Sequence, residues 1–160
     1  MTKIKNKLFI LTLISFLFNS CSKKDIVEKG LIGEYALIFY NHNDTNLFYN
    51  MTLNIIKFNS NGTVKLPGIV DRQKNGVKED SCTIGSWKLR QKSNLFFVDI
   101  SSNNQYFNTS FEVSFDENKE RQTLQIELIN DKIGLAGEKS YFDYRNNQAL
   151  IKNLIEYTKR

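Results

Sequence analysis

The stretch "FNTSFEVSFDENKERQTLQIEL", residues 107–128, decides the fold class. Phe107, Thr109, Phe111, Val113 and Phe115 fall on one side of an extended chain, and Asn108, Ser110, Glu112 and Ser114 fall on the other. That period of two is the signature of a strand with one buried and one solvated face. Leu124, Ile126 and Leu128 alternate in the same way with Thr123, Gln125 and Glu127. Between the two runs "DENKE", residues 116–120, is a polar turn, so the whole stretch predicts an antiparallel hairpin.

The same texture extends in both directions. Upstream, "LIGEYALIFY" (31–40) and "YNMTLNIIKF" (49–58) read as strands, and "NSNG" (59–62) turns the chain into "TVKL" (63–66). A polar loop, "DRQKNGVKED" (71–80), leads to "SCTIGSWKL" (81–89), and "QKSN" turns that strand into "LFFVDI" (95–100). Downstream, "DKIGLAGE" (131–138) reads as an eighth. Strands at intervals of roughly ten residues, joined by short polar turns, predict an all-β fold: an antiparallel up-and-down β-barrel of about eight strands. Pro67 sits where a strand ends, which costs no ladder hydrogen bond. Around Gly85 the parity is mixed, since Cys82 and Ile84 oppose Trp87 and Leu89. Either a bulge at Gly85 switches the phase or both faces are partly covered there. The tail "NNQALIKNLIEYTKR" (146–160) has two readings, a helix with a Leu150, Ile151, Leu154, Ile155 stripe or a closing strand, and the helix is the favoured one.

At the start of the chain Lys3, Lys5 and Lys7 precede an apolar run, Leu8–Phe18, which is too short to cross a hydrocarbon layer of ~30 Å as a stable helix. Residues 1–20 therefore read as an export signal. The run ends at Cys21, followed by the polar Ser22-Lys23-Lys24-Asp25. This arrangement resembles the lipobox of bacterial lipoproteins, in the relaxed form of Bacteroidota. The resemblance implies that Cys21 becomes the first mature residue, carries diacylglycerol on its thiol and a fatty acyl group such as palmitate on its amine, and tethers the chain to the membrane. Two or three acyl chains anchor stably where one is marginal. The expected division is a signal at 1–20, a lipidated tether at 21–29 and a barrel domain at 30–160, in an outer-membrane lipoprotein of the cell envelope facing either the periplasm or the outside. The full chain has 22 basic and 17 acidic side chains, and its net charge of +5 falls to +2 without the three signal lysines. So small an excess, without a clustered basic face, gives no reason to expect a nucleic-acid partner. With Cys21 lipidated, Cys82 has no internal disulfide partner and is expected to be a buried small hydrophobe.

Catalytic chemistry has little to work with. The chain holds one histidine, His42, so a His-based triad or a multi-histidine metal site is not expected, and neither a phosphate-binding glycine loop nor a Gly-x-Ser-x-Gly motif occurs. Asp71, Glu79 and Asp80 read as solubilising loop residues. The expectation is a non-enzyme with no cofactor and no metal. A lipobox cysteine, a short tether, "LIGEY" as opening strand, "F-x-x-N-G-T" at Phe58–Thr63 and "GSWKL" in mid-chain together resemble the lipocalin-like lipoproteins of Bacteroidota. The chain carries Gly33-Glu34-Tyr35 where lipocalins carry Gly-x-Trp. The resemblance implies a barrel that binds a small apolar ligand. The candidate interior comprises Tyr35, Leu37, Phe39, Trp87, Phe107, Phe111 and Phe115, which either line a pocket or fill it. The alternative is an interaction or structural protein with a filled barrel that docks an envelope protein partner, suggested by the apolar second face of the first strand, Ile32, Ala36, Ile38 and Tyr40.

Overall fold

The structure, a computed structural model, describes residues 22–70, 82–140 and 142–159. The expected export signal at 1–20, Cys21 and the loop acids Asp71, Glu79 and Asp80 lie outside the described residues. Among these residues helix α1 (Lys23–Leu31) comes first, and nine strands follow: β1 (Gly33–His42), β2 (Thr45–Asn46), β3 (Ile55–Phe58), β4 (Thr63–Pro67), β5 (Cys82–Lys92), β6 (Leu95–Ser101), β7 (Ser110–Asn118), β8 (Thr123–Ile129) and β9 (Ile133–Lys139). Helix α2 (Gln148–Thr158) comes last. Every pairing is antiparallel, neighbours in sequence are neighbours in the sheet from β3 to β9, and β1 pairs with both β3 and β9. The sheet thus closes into an eight-stranded up-and-down barrel, with β2 as an extra two-residue strand on β1. The expected fold class is present, and the tail is the helix.

The hairpin of β7 and β8 is in the register that alternation demands, from Asn118 opposite Thr123 to Glu112 opposite Ile129. Its strands run further into the polar turn than the sequence suggests, leaving residues 119–122 to reverse the chain with Gln122 at a φ of 52°. Two expected strands are shorter: within 49–58 only Ile55–Phe58 is extended, after a 3-10 turn at Phe48–Asn50, and Phe107 and Thr109 lie in the loop before β7. Between β1 and β2 the loop Asn43-Asp44 has φ of 47° and 61°, the two positive values that a tight two-residue hairpin requires.

The phase of β1 differs from simple alternation. Against β9, Leu37 is opposite Gly137 but Phe39 is opposite Ala136, so Ile38 is an extra residue and the strand bulges. Tyr35 and Leu37 point inward before the bulge, and Tyr40, fully buried, points inward after it. Phe39 is 43% exposed, as Ile38 is at 45%. The expectation that Phe39 faces the interior is corrected, and so is that of Tyr40 on the outer face. At Gly85 neither expected reading applies. The ladders on both sides of β5 run without a shift, and Ile84 is 73% exposed while Trp87 and Leu89 are buried. One parity faces out throughout, so Cys82 is exposed and is not the buried hydrophobe expected of it. Gly85 has a different role: a Cβ there would stand 2.6 Å from the Ser101 carbonyl oxygen, so the glycine permits a close approach of β5 and the end of β6.

The two helices complete the barrel where the sheet does not. Helix α1 starts in a capping box, with the Ser22 hydroxyl accepting from the Asp25 amide and the Asp25 carboxylate accepting from the Ser22 amide. Val27 and Leu31, one turn apart, are fully buried, so the expected tether at 21–29 is helical from Lys23 and packed into the core. Lys24 and Glu28 lie beside Gly62 and Trp87, whereas a Cβ on Gly30 would strike Leu154 and Phe115. The helix therefore lies across one end of the barrel. Helix α2 covers a seam. Strands β6 and β7 pair only from Phe97 opposite Glu112 to Asp99 opposite Ser110, and beyond Glu112 β7 runs on without β6 beside it. There the Phe115 amide donates to the Thr158 hydroxyl at 3.0 Å, and that hydroxyl donates to the Leu154 carbonyl at 2.8 Å. Ile151 and Leu154 of the same helix are buried below it.

Candidate functional site

Of the seven residues expected to face the interior, six do. Tyr35, Phe107 and Phe111 are fully buried, Leu37, Phe115 and Trp87 nearly so, and Phe39 alone lies outside. The interior is packed, and its rings touch one another. Trp87 and Phe58 meet edge to face with centroids 5.5 Å apart, Phe58 and Tyr35 do so at 6.5 Å, and Tyr40 stacks on Phe107 at 5.3 Å. Such pairs add about 0.5–1.5 kcal/mol each beyond the area they bury. The Trp87 indole N–H donates to the Asn59 carbonyl at 3.0 Å, which removes the polar atom that a buried tryptophan would otherwise leave unpaired. Three interior aromatics escaped the sequence reading. Phe58 and Phe96 sit at inward positions of β3 and β6, where the alternation Ile56, Phe58 and Phe96, Val98, Ile100 would have found them. Tyr40 gave no such signal, because its inward position depends on the bulge.

Both ends of the barrel are stoppered. At the helical end the Tyr35 hydroxyl donates to the carbonyl of Gly30, the same oxygen that accepts from Lys139 Nζ at 2.7 Å. The Lys139 ammonium also lies over the rings of Tyr35 and Phe142, at 5.3 and 5.5 Å. Burial lowers its pKa to about 8, and burial likewise pushes the Tyr35 phenol far above its ordinary range. At the opposite end the loop between β6 and β7 folds inward. Phe107 drops onto Tyr40, whose hydroxyl donates to the Tyr106 carbonyl, and whose own pKa is raised by burial first and by Tyr106 second.

Outside that stopper the rim carries two adjoining grooves of about 460 and 450 Å3, which share His42 and Gln105. The first is walled by the chain before β7 and after β8, including Asn108, Asn130, Asp131 and Lys132, and the second by Asn43, Thr45, Leu47 and Tyr106. The His42 and Tyr106 rings stand edge to face, 5.4 Å apart. In the sequence His42 stands out only as the single histidine, and residues 102–106 have no periodicity to mark them. On the outer wall, Ile38, Phe39 and Ile84 are the apolar side chains that the bulge and the uniform parity of β5 leave in solvent.

Among the described residues no three His, Cys, Asp or Glu side chains come together as metal ligands would. Among the described residues the shortest ion pair is the bidentate Arg90–Asp99 contact across β5 and β6, at 3.0 and 3.1 Å, in which the guanidinium holds the carboxyl below its usual range. It lies on the outer wall and joins two strands, away from the grooves. Comparison of the chain with family models, with curated proteins and with solved structures returned no match.

Proposed function

We propose that the chain is a non-enzymatic lipoprotein of the cell envelope, held to the outer membrane by lipid on Cys21, whose filled barrel meets a partner from outside. The observation that carries this reading is the interior, where Tyr35, Phe58 and Trp87 form one set of ring contacts, Tyr40 and Phe107 form a second, and all five rings are buried. A side-chain-filled eight-stranded barrel is one of the two states such a barrel adopts. What is left to bind with is the rim and the outer wall, where Ile38 and Phe39 are exposed side by side. The sequence of the first 25 residues supports the anchoring.

A second reading, a small apolar ligand inside the barrel, is favoured by one feature. Phe107, which closes the rim end, stands on a loop, so it can be displaced without breaking a strand ladder. Titration of residues 22–160 with an apolar fluorescent dye separates the two, because Trp87 is the single tryptophan and faces the interior. A filled barrel leaves the Trp87 emission unchanged at all dye concentrations below aggregation. Saturable uptake of about one dye per chain with a shifted Trp87 spectrum would reject the filled barrel in favour of the ligand-binding one.

A further inference from the structure

The double groove at the rim has walls of a distinctive chemistry. Its two lobes, about 460 and 450 Å3, each fall within the roughly 300–1,000 Å3 typical of small-molecule sites. Its formal charges are one acid and one base, Asp131 and Lys132, so the walls have no excess of either sign. A phosphorylated or carboxylated ligand would find no surplus cation there. An apolar ligand would strip water from amides and charges and return nothing for it.

The loop that forms the groove is held in advance of any ligand. Asn104 donates to the Pro67 carbonyl at 3.0 Å and accepts from the Tyr106 amide at 3.1 Å, and Ser102 and Asn104 are cross-bonded through side chain and backbone. Asn130 is wholly occupied by the fold, accepting from the amides of Lys132 and Ile133 and donating to the Ser110 carbonyl. Other groups have capacity to spare. Asn108 uses its oxygen on the Ser102 amide and keeps its NH2, and Gln105 makes no hydrogen bond among the described residues. The groove therefore offers an amide with both a donor and an acceptor, a second amide donor, an acid and an ammonium, beside two half-buried rings, His42 and Tyr106.

We propose that this groove binds a neutral oligosaccharide. A sugar hydroxyl is donor and acceptor at once and pairs with an amide on both counts, while the C–H faces of a pyranose pack on aromatic rings. Two lobes joined through Gln105 and His42 suit two or more consecutive residues of a glycan better than a single compact molecule. The site lies outside the packed interior and needs neither the lipid nor an open barrel, so it goes beyond the reading above.

The chain from Ser22 onward, which holds every described element, is screened on an array of neutral and acidic glycans, and hits are titrated by calorimetry. Binding to neutral glycans is expected, weakened about fivefold or more by Gln105→Ala, the loss of one good hydrogen bond. Gln105 is exposed and unpaired, so that variant keeps the fold. Ile84→Ser, on the outer wall, leaves the affinity unchanged. An array with no neutral hit, hits confined to acidic glycans, or a Gln105→Ala variant that binds as tightly as the parent would each overturn the proposal. None of these outcomes bears on the dye titration, so the two readings fail separately.

Discussion

Replacing Thr158 by valine isolates the bond that seals the barrel. The two side chains have nearly the same shape, so packing against Leu154 and β7 is kept while the hydroxyl is lost. The Phe115 amide then has no acceptor: β6 does not run beside β7 beyond Glu112, and Thr158 Oγ1 at 3.0 Å is the partner it has. An orphaned buried amide costs about 1–3 kcal/mol. For a domain of this size a change of 1 kcal/mol moves Tm by about 2–4 °C, so Thr158→Val lowers Tm by roughly 2–12 °C. Thr158→Ser keeps the bond and gives up one methyl, about 0.8 kcal/mol, and is the milder variant. Urea melts of the three proteins give the ranking, and hydrogen exchange at the Phe115 amide locates the damage. If Thr158→Val melts with the parent, or Thr158→Ser is as damaging as Thr158→Val, the seam is not held by this hydroxyl and the reasoning fails.

Lys139 gives a pH dependence. Its folded pKa of about 8 lies below the ordinary 10.5, so between these values the unfolded chain binds more protons and stability rises with pH, by an amount on the order of 3 kcal/mol over the full window. Tyrosine ionisation in the unfolded state opposes this above about pH 10, so urea midpoints of the parent and Lys139→Met are compared from pH 7.5 to 10, and only the parent gains. Phe39→Ser, on the outside, is expected to change stability by less than about 1 kcal/mol, against about 3–5 kcal/mol for Phe111→Ala in the core; equal losses would place Phe39 inside after all. Cys82, being exposed, reacts with a thiol reagent in native buffer as fast as in urea, and a thiol silent until the protein unfolds would return it to the core.

What could be read from the chain and what could not divide along a physical line. Strands such as β7 and β8 announce themselves because one face is buried and the other wet, and the ladder between them has no irregularity. The run Tyr35–Tyr40 is apolar at nearly every position, so its phase cannot be read from composition. That phase is set by β9, whose Gly137 and Ala136 accept Leu37 and Phe39 on either side of the extra residue. Helix α1 was legible in principle, since Ser22 and Asp25 have capping-box spacing and Val27 and Leu31 share a face, but the lysines beside Cys21 point to solvent. Strand alternation accounts for the inward Tyr35, Leu37, Phe111 and Phe115, whereas Phe107 is buried from a loop and the phase at Trp87 is mixed in the sequence. The rim did not follow at all, because it is assembled by turns from three separate places in the chain.

Because α2 seals the seam, the order in which the chain emerges during synthesis matters. Hairpins such as β7–β8 can pair as soon as they leave the ribosome. Closure of β1 on β9 must wait for about a hundred more residues after β1 is made, and the slot beside Phe115 stays open until Thr158 is available. Until then the nascent sheet exposes an unpaired edge on β7 and the apolar inner faces of its strands, the kind of surface through which unfinished chains associate. If the chain is exported as proposed, that interval favours crossing the membrane unfolded and closing the barrel on the far side, with the final helix acting as the latch.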